Sequence, residues 1–283
     1  MFFGRKYESE KKWPWPLVLA LALAAILPLA SFLLWSLEKT AEADNSGDGI
    51  DVSKNILVLN YHKIDNLHHS LAVTVRDFEA QMRYLKENNY TAITPDELYS
   101  CLAGDTKLPE NSVLITFDDG YEDNYLNAYP ILKKYGFKAT IFVITGFVDV
   151  YPDYLTWEQI REMNENGIDI ESHTLSHQSM TDLSDSELKA ELVNSKRALE
   201  DRLGHVIEYI AYPTGAYNLH IARLVQEAGY KAAFTIKYGN VDENSNVYAL
   251  ERVPVFHTEN TNKSFLERLH YTPIFEQFGW TKN

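Results

Sequence analysis

The 283-residue sequence predicts an α/β barrel, closed or incomplete, preceded by one N-terminal transmembrane helix. After residue 55, seven short apolar runs alternate with helical patterns, which is typical of parallel strands covered by helices. So many strands in one stretch of this length favour a barrel over an open sheet. An uncharged apolar stretch from Trp13 to Leu37 is longer than the about 20 residues that span a bilayer.

The apolar stretch predicts an uncleaved anchor that forms residues 1–37 together with a short cytoplasmic stub. Tryptophans stand at both of its ends, where amphipathic rings prefer the membrane interface. Basic residues precede it, so the N-terminus is expected in the cytoplasm and the rest of the chain outside: Arg5, Lys6, Lys11 and Lys12. The alternative is a signal peptide cleaved after Ala41-Glu42-Ala43, which would release a secreted protein.

Residues 38–54 are polar and acidic and predict a solvated linker to a single domain over residues 55–283. Helices are predicted within 78–89, 184–204 and 218–229, the second with a capping box from Ser184 to Glu187 and an end at Gly204. The predicted strands are 56–61, 112–117, 139–145, 168–172, 207–212, 232–236 and 249–255.

Composition excludes several classes of function. The formal net charge is −14, and an acidic surface repels phosphate backbones, so we expect no nucleic-acid partner. The single cysteine, Cys101, excludes a disulfide framework and a cysteine-rich zinc site. No feature of the sequence indicates a protein partner or an oligomeric state.

Two adjacent carboxylates, Asp118 and Asp119, follow the second predicted strand and precede Gly120. Strand ends at the carboxyl edge of an α/β barrel carry its chemistry. Paired carboxylates after an apolar strand are costly unless they bind something, because they repel each other and lose water. The alternative is an Asp-Asp-Gly turn that caps the next helix.

Two histidines, His173 and His177, follow the fourth predicted strand. A spacing of four places both on one face of a helical turn, so both could reach one metal ion. With Asp119 they would give two imidazoles and one carboxylate, a set that holds a divalent first-row metal and leaves coordination positions open. Structural histidines are the alternative.

Two further strand ends carry candidate residues. The fifth predicted strand leads into Pro213, Thr214 and Gly215, a turn whose backbone could approach a ligand closely. The first strand leads into His62. Taken alone, a plain turn and a structural histidine explain these two features as well.

In combination these segments resemble the first three motifs of the polysaccharide deacetylase family, carbohydrate esterase family 4. The motifs are Thr116-Phe117-Asp118-Asp119-Gly120, then Ser172-His173-Thr174-Leu175-Ser176-His177, then Tyr212-Pro213-Thr214-Gly215. The resemblance covers about residues 56–270. It implies a distorted (β/α)7-type barrel and metal-dependent removal of acetyl groups from N-acetylated sugars.

The resemblance also implies roles for the residues. Asp119, His173 and His177 match the metal ligands, and Asp118 matches the catalytic base. The turn at 213–215 matches the groove wall, where a backbone N–H helps to hold the oxyanion. The cofactor is then one divalent ion, with zinc as the default and cobalt, nickel, manganese or iron as alternatives.

The sequence departs from the family pattern at two places. Ala211 stands where the third motif has an arginine that orients the base, and Arg252 on the last strand is the candidate replacement. The C-terminal Leu-x-His motif that carries the catalytic acid has no clean match. We assign His62 as the acid, with His257 as the runner-up, because a strand-one Tyr61-His62 resembles deacetylases of poly-β-1,6-N-acetylglucosamine.

These observations predict a membrane-anchored hydrolase that deacetylates an extracellular N-acetylglucosamine polymer, with poly-β-1,6-N-acetylglucosamine as the first choice. Peptidoglycan or a chitin-type glycan is the alternative substrate. An inactive surface glycan-binding protein is the alternative from another class. The expected partners are the extracellular polysaccharide and the membrane itself.

Overall fold

Seven parallel strands close into a barrel in the computed structural model. The structure describes residues 55–67, 70–258 and 260–277, and of residues 271–277 it describes only the backbone. Three two-residue strands accompany the barrel strands. In chain order the strands are β1 Leu57–Tyr61, β2 Lys63–Ile64, β3 Ala72–Val73, β4 Thr91–Ala92, β5 Ser112–Phe117, β6 Ala139–Val143, β7 Ile168–Ser172, β8 Tyr209–Ala211, β9 Ala232–Tyr238 and β10 Leu250–Pro254.

Strand β1 closes the barrel by pairing in parallel with a strand on each side. Leu59 lies opposite Val253 of β10 and opposite Ile115 of β5. The remaining barrel strands follow in chain order, so each neighbour in space is the next barrel strand in sequence. All seven predicted strands are confirmed as the barrel strands, and the (β/α)7-type fold with them.

Helices cover the outside of the barrel. They are α1 Val75–Glu87, α2 Pro95–Leu102, α3 Tyr129–Tyr135, α4 Trp157–Glu165, α5 Asp185–Leu203, α6 Leu219–Glu227 and α7 Thr261–Gln277. The capping box at Ser184 and the left-handed end at Gly204 bound α5 as the sequence predicts. The distortion is visible between β9 and β10, where residues 239–249 contain no helix.

Alternation along each strand divides the core into two layers. Leu59 and Ile115 point outward and pack with helix residues such as Phe78. Val58 and Leu114 point inward and pack with Leu98 of α2. Because Ile93 just before α2 bonds to Val113 near the start of β5, α2 covers the amino-terminal end of the barrel.

The predicted anchor and linker, residues 1–54, lie outside the described residues. Within the part of the chain that the structure describes, none of the helices combines the length and the apolar character needed to cross a membrane.

Candidate metal and catalytic site

Asp118 and Asp119 leave the end of β5 in different directions. The N–H of Asp118 donates to the carbonyl oxygen of Tyr61, which ties the end of β5 to the end of β1. Asp119 has a φ of 76°, a left-handed conformation that is uncommon outside glycine, and Gly120 repeats it. This reversal separates the two carboxylates, so each has its own set of partners.

The Asp118 carboxylate is buried and held by two side chains. Nη1 and Nη2 of Arg252 each donate to one of its oxygens at 2.7 Å, and Nδ2 of Asn60 donates to Oδ2 at 2.9 Å. Burial by itself would raise the pKa of Asp118, but the paired guanidinium holds it well below its usual range. Asp118 is therefore an ionised carboxylate of fixed orientation.

Arg252 is itself fully buried inside the barrel. Its Nε donates to the carbonyl oxygen of Thr235 at 2.7 Å, and Nη1 also donates to Oγ1 of Thr116 at 3.2 Å. These bonds fix the guanidinium on β10 in the position from which it meets Asp118. The predicted replacement arginine therefore contacts the predicted base.

Asp119, His173 and His177 converge on one point. Oδ1 of Asp119 lies 3.4 Å from Nε2 of His173 and 3.3 Å from Nε2 of His177. Nδ1 of His173 lies 2.8 Å from the carbonyl oxygen of Ala211, which can only accept. Nδ1 therefore carries the proton in neutral His173, and the lone pair of Nε2 faces Asp119.

The three side chains fit a divalent metal ion. One ligand atom from each lies within 4.8 Å of the others. Metal–ligand bonds of about 2.1 Å place neighbouring ligands about 3.0–3.4 Å apart, close to the separations here. Oδ1 of Asp119 is buried and has no hydrogen-bond partner among the described residues. This is the state expected of a carboxylate oxygen that is directed at a cation.

The charge states of Asp119 and His177 also suit ligation, whereas the pKa of His173 is raised, since the lowering effect of burial is outweighed by the neighbouring carboxylates of Asp119 and Asp118. Burial would raise the pKa of Asp119, but the adjacent imidazoles hold it below its usual value, so the carboxylate is ionised. Burial and the nearby His173 lower the pKa of His177, which favours its neutral form. An ionised carboxylate and a neutral imidazole are the forms that bind metals.

The helical turn predicted for His173 and His177 is wrong. Residues 173–177 form an irregular loop in which Thr174 has a φ of 65° and His177 a φ of 58°. The two rings still meet, with centroids 4.9 Å apart. The loop conformation, rather than helical spacing, brings both nitrogens to Asp119.

His62 follows β1 and faces the same cluster. Burial lowers the pKa of His62, while the carboxylates of Asp118 and Asp119 oppose that change. Its Nδ1 is buried without a hydrogen-bond partner among the described residues. The structure therefore brings His62 to the edge where Asp118 and the candidate metal ligands lie.

His257 lies on the loop after β10. The N–H of Val255 donates to Asn60 and that of His257 donates to Ser70, in the segment before β3. The backbone of His257 therefore lies beyond the end of β10 and is held toward the β2–β3 pair, which is not part of the barrel.

The turn at 213–215 is a single tight 3₁₀ turn after β8. Thr214 has a φ of 58° and Gly215 a φ of 71°. A Cβ at Gly215 would lie 2.2 Å from Cγ1 of Ile236, so only glycine fits against β9. Because Ala211 just before the turn accepts from His173, the turn lies beside the candidate metal ligands.

Sequence reasoning missed the role of Asn60, which holds Asp118. The signal was present, because Asn60 is a buried polar residue within an otherwise apolar strand. It also missed Glu191 on α5, which accepts hydrogen bonds from Leu175 and Ser176 in the loop between the two histidines, because these contacts join two different elements.

Comparisons with known proteins agree with this geometry. A family profile described as polysaccharide deacetylase matches residues 105–233. YxkH of Bacillus subtilis, assigned to the polysaccharide deacetylases, is 41% identical over 198 residues, 70% of each chain. The poly-β-1,6-N-acetyl-D-glucosamine N-deacetylase of Staphylococcus aureus is 32% identical over 226 residues, 70% of this chain and 77% of that one. The structure of the Streptococcus pyogenes deacetylase PplD in complex with acetate aligns with a TM-score of 0.72 at 30% identity, over 76% of this chain and 98% of that chain.

Proposed function

This chain belongs to the polysaccharide deacetylase family, and from that premise we propose that it removes N-acetyl groups from extracellular poly-β-1,6-N-acetylglucosamine. The observation that carries the choice of polymer is the placement of His62. It follows the first barrel strand and lies near enough to Asp118 and Asp119 for their charges to act on its ring. The relative from Staphylococcus aureus supports the choice, since its name states that substrate.

Asp119, His173 and His177 hold the metal ion in this proposal. Their donor set accepts zinc and also suits cobalt, nickel, manganese or iron. A divalent ion bound there supplies Lewis acidity, which activates water and polarises the acetyl carbonyl group.

Asp118 is the general base. Arg252 and Asn60 keep its carboxylate ionised and aligned, so it can accept the proton of the attacking water without first reorienting. Arg252 takes the place of the arginine that the third motif of the family carries, at a position on a different strand.

His62 is the general acid. Amide hydrolysis expels an amine, and this leaving group needs a proton on its nitrogen as the C–N bond breaks. The buried Nδ1 of His62 makes no hydrogen bond within the described part of the chain. Burial lowers the pKa of His62, which makes a proton on the ring easier to give up, and the carboxylates of Asp118 and Asp119 limit that change.

The turn at 213–215 supplies an N–H to the oxyanion. Pro213 has no N–H, and the N–H groups of Gly215 and Ala216 donate to Tyr212 and Pro213. The N–H of Thr214 is therefore the one that we assign to the developing negative charge.

The location follows from the N-terminal sequence. We place residues 55–283 outside the cell, attached through the anchor predicted for residues 13–37, where an extracellular polymer is accessible. The net charge of −14 is consistent with a product that becomes cationic as acetyl groups leave.

Acetate release tests the proposal. The full chain, loaded with Zn²⁺ or Co²⁺, is incubated with β-1,6-linked N-acetylglucosamine oligomers, chitin oligomers and peptidoglycan, with His173→Ala as the inactive control. We expect the highest kcat/KM on the β-1,6 oligomers. Equal or better activity on either other glycan would replace the substrate, and metal binding without acetate release from any glycan would favour a glycan-binding protein.

A further inference from the structure

One buried carboxylate holds the loop that carries the two candidate metal-binding histidines. Glu191, on α5, is 7% exposed. Its Oε2 accepts the N–H groups of Leu175 at 2.9 Å and Ser176 at 2.8 Å, and its Oε1 accepts the hydroxyl of Ser176 at 2.6 Å. All three donors lie between His173 and His177.

The loop adopts a conformation that it would not hold without support. Thr174 and His177 both have positive φ values, which are unfavourable for residues other than glycine and persist only when the surroundings enforce them. Hydrogen bonds to Glu191 supply that constraint from one side. They also give partners to the N–H groups of residues 175 and 176, which are partly shielded from water.

The opposite side of the loop is held by the segment after β6. The N–H of Thr145 donates to Thr174 at 3.1 Å, and the N–H of Gly146 donates to Leu175 at 2.8 Å. A Cβ at residue 146 would lie 2.4 Å from the carbonyl oxygen of Leu175, so only glycine allows this approach. The carbonyl oxygens of Thr174 and Leu175 are thus fixed by residues 145–146, and the N–H groups of residues 175 and 176 by Glu191.

The geometry points to Glu191 as a positioning residue that sets the separation of His173 and His177 for the metal ion. This inference rests on the proposed metal site. Glu191 acts through the backbone of residues 175–176, and a carboxylate suits the position because it offers only acceptors to three donors. Supporting groups of this kind change metal affinity by about 10–100-fold.

Titration of the metal-free full chain with Co²⁺ tests the role, with the visible absorption of the ion as the readout. We expect Glu191→Ala to weaken Co²⁺ binding by about 10–100-fold and to alter the absorption bands. Glu191→Gln should restore most of the affinity. Its Oε1 can accept both N–H groups, and its Nε2 can donate to the Ser176 oxygen.

Glu200→Ala is the matched control. Glu200 lies on the same helix, accepts the N–H of Ile207 at 3.1 Å and pairs with Lys196, away from the loop. Its loss is expected to lower thermal stability without changing the Co²⁺ Kd. Should Glu191→Ala fail to fold, Glu191→Asp, which withdraws the carboxylate by one methylene, is expected to show the weakened binding.

Two results would overturn the inference in distinguishable ways. If the unmodified chain binds Co²⁺ and Glu191→Ala or Glu191→Asp binds it with the same Kd and spectrum, Glu191 is only structural and the metal site stands. If the unmodified chain does not bind Co²⁺, the proposed metal site fails, and the positioning role fails with it.

Discussion

The two ends of the barrel are built differently. At the carboxyl end, which we call the mouth, residues 118–120 and 173–177 bring carboxylates and imidazoles together beside the turn at 213–215, and Arg252 of β10 pairs with Asp118. Four of the seven described non-glycine residues with positive φ lie there: Asp119, Thr174, His177 and Thr214. At the amino end, which we call the floor, helix α2 and the starts of the strands form an apolar cluster around Leu98.

The floor also uses conventional local chemistry. The capping box of Thr94 and Glu97 starts α2, and Tyr209 donates to Asp96 of the same helix. The mouth instead holds strained backbone and like-charged groups that the rest of the fold must stabilise. Changes at the mouth should therefore abolish function and leave the fold intact, whereas changes at the floor should do the reverse.

The largest expected effect is the removal of a candidate metal ligand at the mouth. His173→Ala should abolish both bound metal and acetate release, because two ligands no longer enclose the ion. Asp118→Asn is the matched contrast: it should keep the metal and lose most turnover, since a base rather than a ligand is removed. Metal analysis and acetate assays on both variants measure this, and full metal occupancy in His173→Ala would remove that residue from the site.

The next effect distinguishes the two acid candidates. His62→Ala should lower kcat by about 10²–10⁴-fold with unchanged metal content, because general acid catalysis contributes on that scale. His257→Ala should lose little activity, since His257 lies on the loop after β10 and its backbone is held toward Ser70, in the segment before β3. The opposite ranking in steady-state assays would return the acid to the C-terminal segment and weaken the choice of the β-1,6 polymer.

A floor variant should show the reverse pattern. Leu98 is fully buried, so Leu98→Ala is expected to lower the free energy of unfolding by about 2–5 kcal/mol through lost burial and a cavity. Metal content and kcat per folded molecule should stay unchanged. Leu126→Ala, at a residue 55% exposed, is the control for urea unfolding. A fall in kcat in Leu98→Ala would show that the two ends are coupled.

The smallest effect concerns the carboxyl group of Asp169, on β7, which lies near the acidic residues of α2. Burial, reinforced by Asp96 and Glu97 and opposed by His205 and Lys138, raises the pKa of Asp169 to about 6. The folded protein therefore binds this proton more tightly than the unfolded chain, and the ionised form destabilises the fold as the pH rises through that pKa. Asp169→Asn removes this cost.

The sign of the change sets the test. The variant should gain up to about 3 kcal/mol in the free energy of unfolding at pH 7.5, by the usual conversion of a pKa shift, and less than half of that at pH 4.5. Urea unfolding of both proteins at the two pH values measures the difference. A gain that did not shrink on acidification would assign the stabilisation to another cause.

The seven barrel strands and the Asp118, Asp119, His173 and His177 set were predictable from the sequence because their signals are local. Apolar runs of strand length mark β1 and β5–β10, and short motifs at their ends carry the polar residues. The parallel arrangement then places every strand end at one edge, whichever strand supplies it. The short strands β2, β3 and β4 gave no comparable signal, since two residues show no period.

Only the tertiary structure decided how these groups are held. Arg252 and Asp118 are 134 residues apart in sequence, and they meet because β10 and β5 both pair with β1. The loop at 173–177 was expected to be helical from its spacing, and Glu191 and Gly146 instead hold it as an irregular loop in which Thr174 and His177 have positive φ values. Sequence periodicity reports which residues share a face of one element. Barrel closure and contacts between elements determine which residues of different elements meet.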